Sequence, residues 1–270
     1  MRAEEEIMIT SSSNARVKQL LAWQKKRKAR EEDSVYIVEG IRMYVEAPEK
    51  MVRELYVSES FFNKKKEELH LEKWGKKLEI LSDSVFAHVS DTKTPQGVLL
   101  VMNQMQYPLE QILEAKNGTK PLLMVLDNLQ DPGNLGTILR AGEAAGVTGV
   151  LMSSDCVDIY NPKVIRSTMG SIYRMPFLYT DNLVEVIKGL KNYEIHTYAA
   201  HLKGKHGYEE EDYRIGTAFL IGNEGNGLRQ EVADAAEIYI KIPMCGEVES
   251  LNAAIASSVL MFEAARQRRK

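Results

Sequence analysis

From Pro121 onward the chain alternates apolar runs with helical patterns, and this rhythm constrains its fold more than any other feature. The runs cover residues 122–126, 147–152, 195–199, 218–221 and 238–242, and helical patterns lie between or after them at 135–145, 183–190 and 251–266. Short apolar runs separated by helices predict an α/β fold, a mostly parallel sheet covered by helices. Ligands in such sheets collect at the carboxyl ends of the strands. The residues just beyond each run are therefore where chemistry is expected.

Three glycine-bearing segments lie at or just after such ends. The first, residues 127–140, leads from a strand into a helix. Pro132 and Gly133 form a turn at which backbone can approach a ligand closely. Asn134 can cap the following helix, and Arg140 lies further along it, where a cation suits an anionic or nucleotide ligand. The second, residues 219–228, sets Gly222, Gly225 and Gly227 around Glu224; a plain surface turn that starts a helix is the bland alternative. The third, residues 242–252, precedes an Ala/Ser-rich helix that Ser250 or Asn252 can cap. Ala253, Ala254, Ala256, Ser257 and Ser258 leave that helix open to close packing or a subunit contact.

Together the three segments resemble the SpoU (TrmH-like) family of RNA ribose 2′-O-methyltransferases. Asn134, Gly136 and Arg140 match its Asn-x-Gly-x-x-x-Arg signature. Gly222, Glu224, Gly227 and Leu228 match Gly-x-Glu-x-x-Gly-Leu, and Ile242, Pro243, Met244 with Ser250, Leu251, Asn252 match the last motif. Residues 161–170 also look like the loop and helix after the family's second strand. The resemblance covers residue 121 to the end. It implies a SPOUT-type α/β domain with a deep trefoil knot, S-adenosylmethionine as methyl donor, and a homodimer. By the same resemblance, Gly222, Ile242, Met244 and Leu251 would contact the donor, while Asn134, Arg140, Glu224, Ser250 and Asn252 would form the catalytic pocket.

The first part of the chain reads as a smaller α/β domain, residues 1–105, joined through a connection at 106–120 to a second domain that ends at 270. Strands are expected at 35–38, 54–57, 78–81 and 97–102, with helices at 41–47 and around 64–74. Residues 9–14, 36–40 and 94–98 are similar to the L30e-like substrate-binding domain of many such enzymes, which implies that this half recruits RNA. The subset carrying that domain mainly modifies large-subunit ribosomal RNA, so the substrate implied is 23S rRNA or a large-subunit precursor. Between Arg16 and Arg30 the charges are all positive. One helix with a basic face is expected there, and Lys25, Lys26, Arg27 and Lys28, with Trp23 beside them, are candidate RNA contacts.

Composition excludes several other classes. The formal charge of −3 over 270 residues argues against whole-protein attraction to nucleic acid, so RNA binding has to be local. Two cysteines, Cys156 and Cys245, supply neither a disulfide framework nor a four-cysteine zinc site. The five histidines show no metal-ligand pairing, so no metal is expected, and Cys245 reads as packing rather than nucleophile. Residues 1–6 do not resemble a secretory signal and no apolar run is long enough to span a bilayer, so a cytoplasmic protein with no membrane partner is expected. Rival readings are a Rossmann-type enzyme with Asp155 on a ribose, a non-catalytic RNA-binding assembly factor, and a tRNA or antibiotic-resistance methyltransferase. Arg140 is expected to grip a phosphate and stabilise charge developing on the 2′-oxygen. A base role suits it poorly, because guanidinium is essentially always protonated.

Overall fold

The computed structural model describes residues 8–114 and 118–269. The residues read for a leader, 1–6, and Asn117 of the connection lie outside that set. Contacts divide the chain into two compact units, Met1–Met105 with Tyr160–Tyr173, and Gln106–Ile159 with Arg174–Lys270.

In the first unit the elements run α1 (Ala15–Lys25), α2 (Arg27–Asp33), β1 (Val35–Glu39), α3 (Ile41–Glu46), β2 (Val52–Ser58), α4 (Glu59–Lys65), β3 (Leu78–Leu81), α5 (Asp83–Val89) and β4 (Val98–Asn103). The strands form a mixed sheet in the order β1-β4-β2-β3, in which only β2 and β3 are parallel. Asn14 caps α1 by accepting from the Arg16 N–H, and Val17, Leu20 and Trp23 turn one stripe of the helix into the core.

The basic run is two helices rather than one. Lys26 adopts extended backbone between them, and the bend lets Arg30 fold inward. Its Nη1 donates to the carbonyls of Trp23 (2.7 Å) and Gln24 (3.2 Å), which the end of α1 leaves without helical partners. Trp23 is also buried, with its indole N–H donating to Asp33 at 2.7 Å, so it offers no stacking face. The charged helix expected around 64–74 is broken as well. α4 ends early, and 3-10 turns over Leu71–Lys77 follow a positive φ at His70.

The second unit carries α6 (Leu109–Leu113), β5 (Leu122–Leu126), α7 (Pro132–Ala145), β6 (Gly149–Ser153), β7 (Phe177–Thr180), α9 (Leu183–Gly189), β8 (Ile195–Ala200), β9 (His206–Gly207), β10 (Gly216–Ile221), α10 (Gln230–Ala233), β11 (Ile238–Lys241) and α11 (Ala253–Arg268). Among the described residues its strands form a seven-stranded sheet, β7-β6-β5-β10-β8-β11-β9, with every neighbouring pair parallel. β5, β6 and β10 are buried along their whole length, which is why they read as unbroken apolar runs. The chain winds one way from β5 to β7 and then crosses to β8 on the other side. The carboxyl ends of β5 and β10 therefore flank the switch point where such sheets bind ligands.

Two strands escaped the sequence reading. β9 is two residues long, and β7 is a short edge strand with only Phe177 fully buried. The expected connection also contains α6, whose Ile112 and Leu113 are buried in the core of this unit. Tyr160–Tyr173, placed by sequence in the second domain, lies in the first unit. Within it, Tyr160 stacks on Tyr36 with ring centroids 4.6 Å apart, helix α8 (Pro162–Thr168) packs on β1, and Arg166 pairs with Asp91. No described helix is long and apolar enough to cross a membrane.

Candidate active site

The three segments meet at the carboxyl ends of β5 and β10. Asp131, rather than Asn134, caps α7 by accepting from the Asn134 N–H at 2.8 Å, with Pro132 as the first helical residue. This leaves the Asn134 side chain free to join the other segments. Its Nδ2 donates to Glu224 Oε1 at 3.0 Å, and its Oδ1 accepts from Asn252 Nδ2 at 2.9 Å. Asn252 caps α11, its Oδ1 accepting from the N–H groups of Ala254 (2.9 Å) and Ile255 (3.3 Å). The direction of the relay follows from these partners. Asn252 Oδ1 is occupied by donors, so Nδ2 must face Asn134, and Asn134 must present its own Nδ2 to the carboxylate.

Glu224 also accepts from the backbone N–H groups of Asp131 (2.9 Å) and Gln130 (3.1 Å). Burial pushes its carboxyl pKa up, but the hydrogen bonds from Asn134 and these N–H groups outweigh that and hold it below the usual range. An ionised carboxylate accepting from three groups is a fixed strut, poorly suited to taking a proton.

A cavity of about 350 Å³ lies beside this relay. Gly222, Glu224, Ile242, Met244, Ser250 and Leu251 all line it, as do Ile221, Leu228, Ile240 and Leu260. Its size and mixed lining suit a small organic ligand. Asn134, Asn252 and Arg140 are not among its lining residues. Gly222 is required by the protein itself. A Cβ there would lie 2.1 Å from Gly227 C and Leu228 N, and Asn223 and Gly227 exchange backbone hydrogen bonds at 2.9 Å. The turn closes on itself over Gly222, so a glycine first expected to admit a ligand primarily admits the chain.

Sequence reasoning missed the group that secures this turn. Asp127, fully buried at the end of β5, accepts from the Arg229 backbone N–H and Nε, each at 2.8 Å, and from its Nη2. Arg229 Nη1 reaches Asp155 beyond β6 at 3.2 Å. The Asp127 hydrogen bond, and then both carboxylate charges, raise the guanidinium pKa. Asp155, the rival ribose ligand, is thereby engaged, and it also accepts from Ser153 Oγ at 2.5 Å. The available signal was the position of Asp127 immediately after a buried strand.

Arg140 is the opposite case. It is exposed on α7 and forms no ion pair or hydrogen bond among the described residues. Lys25, Lys26, Arg27 and Lys28 are exposed too; Arg27 pairs with Glu31 at 2.6 Å and Lys28 with Glu32 at 3.7 Å. Cys245, expected to pack, is exposed, whereas Cys156 is buried and its thiol pKa is raised by that burial. No group of three or more potential metal ligands occurs among the described residues.

Residues 121–262 match the family model described as the SpoU rRNA Methylase family, and residues 14–100 match the MRM3-like substrate binding domain. The chain is 30% identical over 261 residues to the 23S rRNA (guanosine(2553)-2′-O)-methyltransferase RlmP of Bacillus subtilis, covering 94% of this chain and 97% of the relative. An AdoMet-bound rRNA methyltransferase from Sinorhizobium meliloti superposes with a TM-score of 0.83 at 28% identity, over 96% of this chain and 97% of that one. The SpoU methyltransferase AviRb from Streptomyces viridochromogenes, in complex with AdoMet, also has a TM-score of 0.83, at 26% identity over 95% and 99% of the two chains.

Proposed function

Because this chain belongs to the SpoU rRNA methylase family, we propose that it methylates 23S ribosomal RNA or a large-subunit precursor, in the cytoplasm and as a homodimer. It is an RNA ribose 2′-O-methyltransferase that takes its methyl group from S-adenosylmethionine. The observation that carries the site is the relay from Glu224 through Asn134 to Asn252, which ties all three signature segments together beside one cavity. The apolar and backbone-rich lining suits the donor, with Gly222, Ile242, Met244 and Leu251 around it.

Held by Gly222, Ile242, Met244 and Leu251, S-adenosylmethionine would supply an electrophilic methyl group whose leaving group is a neutral thioether. This chain's residues supply placement, which accounts for much of the acceleration when both reactants are bound. Glu224, Asn134 and Asn252 hold the Gly222–Leu228 turn and the start of α11 in register, and Ser250 lines the same wall. Arg140, without an ion pair or hydrogen bond among the described residues, grips a substrate phosphate and stabilises charge developing on the 2′-oxygen. Residues 1–105 capture the RNA, with Lys25, Lys26, Arg27 and Lys28 on phosphates, and residues 106–270 transfer the methyl group. The trefoil knot belongs to this proposal as well. It is supported by the convergence of the Gly222–Leu228 turn, the 242–251 loop and the first turns of α11 on one cavity.

The homodimer is supported by Ile255 and Phe262, which are 51% and 45% exposed two turns apart on α11. A second copy of this apolar face covers them, and Phe262→Glu should convert the dimer to monomer in sedimentation. For the substrate, ribose methylation mapped across 23S rRNA and tRNA, with and without the protein, should show one 23S position lost. A position lost only in tRNA would overturn the rRNA assignment.

A further inference from the structure

The rim of the cavity carries positive charge that the function above does not use. After β8 the chain turns through His201, Leu202, Lys203, Gly204 and Lys205 before β9. The turn is tied down at several points. His201 N–H donates to the Ile240 carbonyl at 2.9 Å, Gly204 N–H to the His201 carbonyl at 2.9 Å, and Lys203 N–H to His201 Nδ1 at 3.1 Å. That last bond needs a neutral imidazole, and burial, helped by Lys203, lowers the His201 pKa. Gly204 lies against β11, where a Cβ would come within 2.6 Å of Ile240 C.

This rigid turn holds Leu202, 70% exposed, at the cavity edge. Lys203 and Lys205 are exposed on either side of buried Gly204, and exposed Lys241 lines the cavity from β11. None of the three lysines has an ion pair or side-chain hydrogen bond among the described residues. Asp234, within electrostatic reach of Lys203, is already bonded by the Tyr239 hydroxyl at 2.6 Å and the Gln230 amide at 2.8 Å. Glu224 and Glu249 are the carboxylates that line the cavity, and Glu224 is held by its own hydrogen bonds.

Unpaired cations on a hydrogen-bonded turn whose neighbouring His201 and Leu202 line the donor cavity, with Lys241 on the same lining, suit a nucleic-acid backbone entering the site. We propose that Lys203 and Lys205 are an RNA contact of the catalytic unit itself. They take phosphates of the strand flanking the target nucleotide, while Leu202 offers an apolar face to a neighbouring sugar or base. Resting on the RNA methyltransferase assignment, this site is a second anchor, separate from the one assigned to Lys25–Lys28.

The test uses the full-length protein, an unmodified 23S rRNA transcript and labelled S-adenosylmethionine, at several salt concentrations. Lys203→Ala with Lys205→Ala should raise the RNA KM about tenfold and flatten the log–log salt slope of RNA binding by about 0.7 per lysine, the value for a single-strand phosphate. The double Arg replacement should keep the wild-type slope, and donor affinity by calorimetry should be unchanged in both variants. Unchanged KM and slope in the Ala variant would overturn the site. So would a loss explained by weaker donor binding, since the turn would then act through the cavity wall. Wild-type protein that neither binds nor methylates the transcript or total RNA would instead refute the underlying assignment, and the site with it.

Discussion

The Gly222–Arg229 turn and the outer face of α7 lie close in sequence logic but differ in physical state. In the turn, Asn223 Oδ1 accepts from the N–H groups of Gly225 and Asn226, Glu224 accepts from three donors, and Arg229 is clamped by Asp127 and Asp155. On α7, Arg140 is exposed, as Glu224 is, and has no ion pair or hydrogen bond among the described residues. Exposure class therefore does not separate these two charges, but hydrogen-bond occupancy does. Bound groups build the cavity wall, and under the proposed function the unpaired Arg140 is the group left for a substrate phosphate.

The strongest way to break this contrast is Arg140→Ala. If Arg140 acts only on substrate, methyl transfer should fall about 10²–10³-fold, as for loss of an electrostatic donor, while calorimetric donor affinity stays within about twofold. A variant that keeps most of its rate removes Arg140 from the reaction. Gly222→Val probes the other side. The new side chain meets backbone at Gly227 and Leu228, so the turn must rebuild. Melting should show a loss near the upper end of the ~1–3 kcal/mol typical of overpacking, and donor affinity should fall at least about tenfold. Unchanged melting would show that the turn has slack that its contacts deny.

The same contrast runs through the first unit, where Arg30 is bound inside and Lys25 and Lys26 have no acidic partner among the described residues. Replacing Lys25, Lys26, Arg27 and Lys28 by Ala should weaken RNA binding several-fold and flatten its salt dependence. Because Arg27 and Lys28 already pair with Glu31 and Glu32, restoring Lys25 and Lys26 should recover most of the slope. Identical slopes in all these proteins would make the run a solvated face. The smallest effect concerns Glu224. Its carboxyl pKa is depressed by folding, so its contribution is present above the unfolded value of about 4.3 and is lost as pH falls through the lower folded value. Donor affinity should weaken at that acidic end, and Glu224→Gln should abolish this limb. A limb that persists in Glu224→Gln belongs to another carboxylate.

Much of the site was legible because its motifs follow strands whose burial on both faces leaves a plain apolar signature. Local competition was less legible. Asp131 and Asn134 are both good caps, and the choice fell to Asp131 because Asn134 is needed by Glu224 and Asn252, 90 and 118 positions away. The basic run gave no warning that Arg30 would turn inward to the end of α1, because composition carries the charge but not its direction.

The sequence by itself determined the parallel sheet, the helices after β5 and before the C-terminus, and the three segments that carry the family's signature. Each is a local pattern of apolar periodicity, glycine placement and capping. Only the tertiary structure decided that Tyr160–Tyr173 leaves the second half of the chain to dock in the first unit, that Gly222 makes room for backbone, and that Asp127 and Arg229 lock the turn. These depend on contacts between residues far apart in the chain, where distance, direction and the occupancy of each hydrogen-bonding group exist only once the strands are side by side.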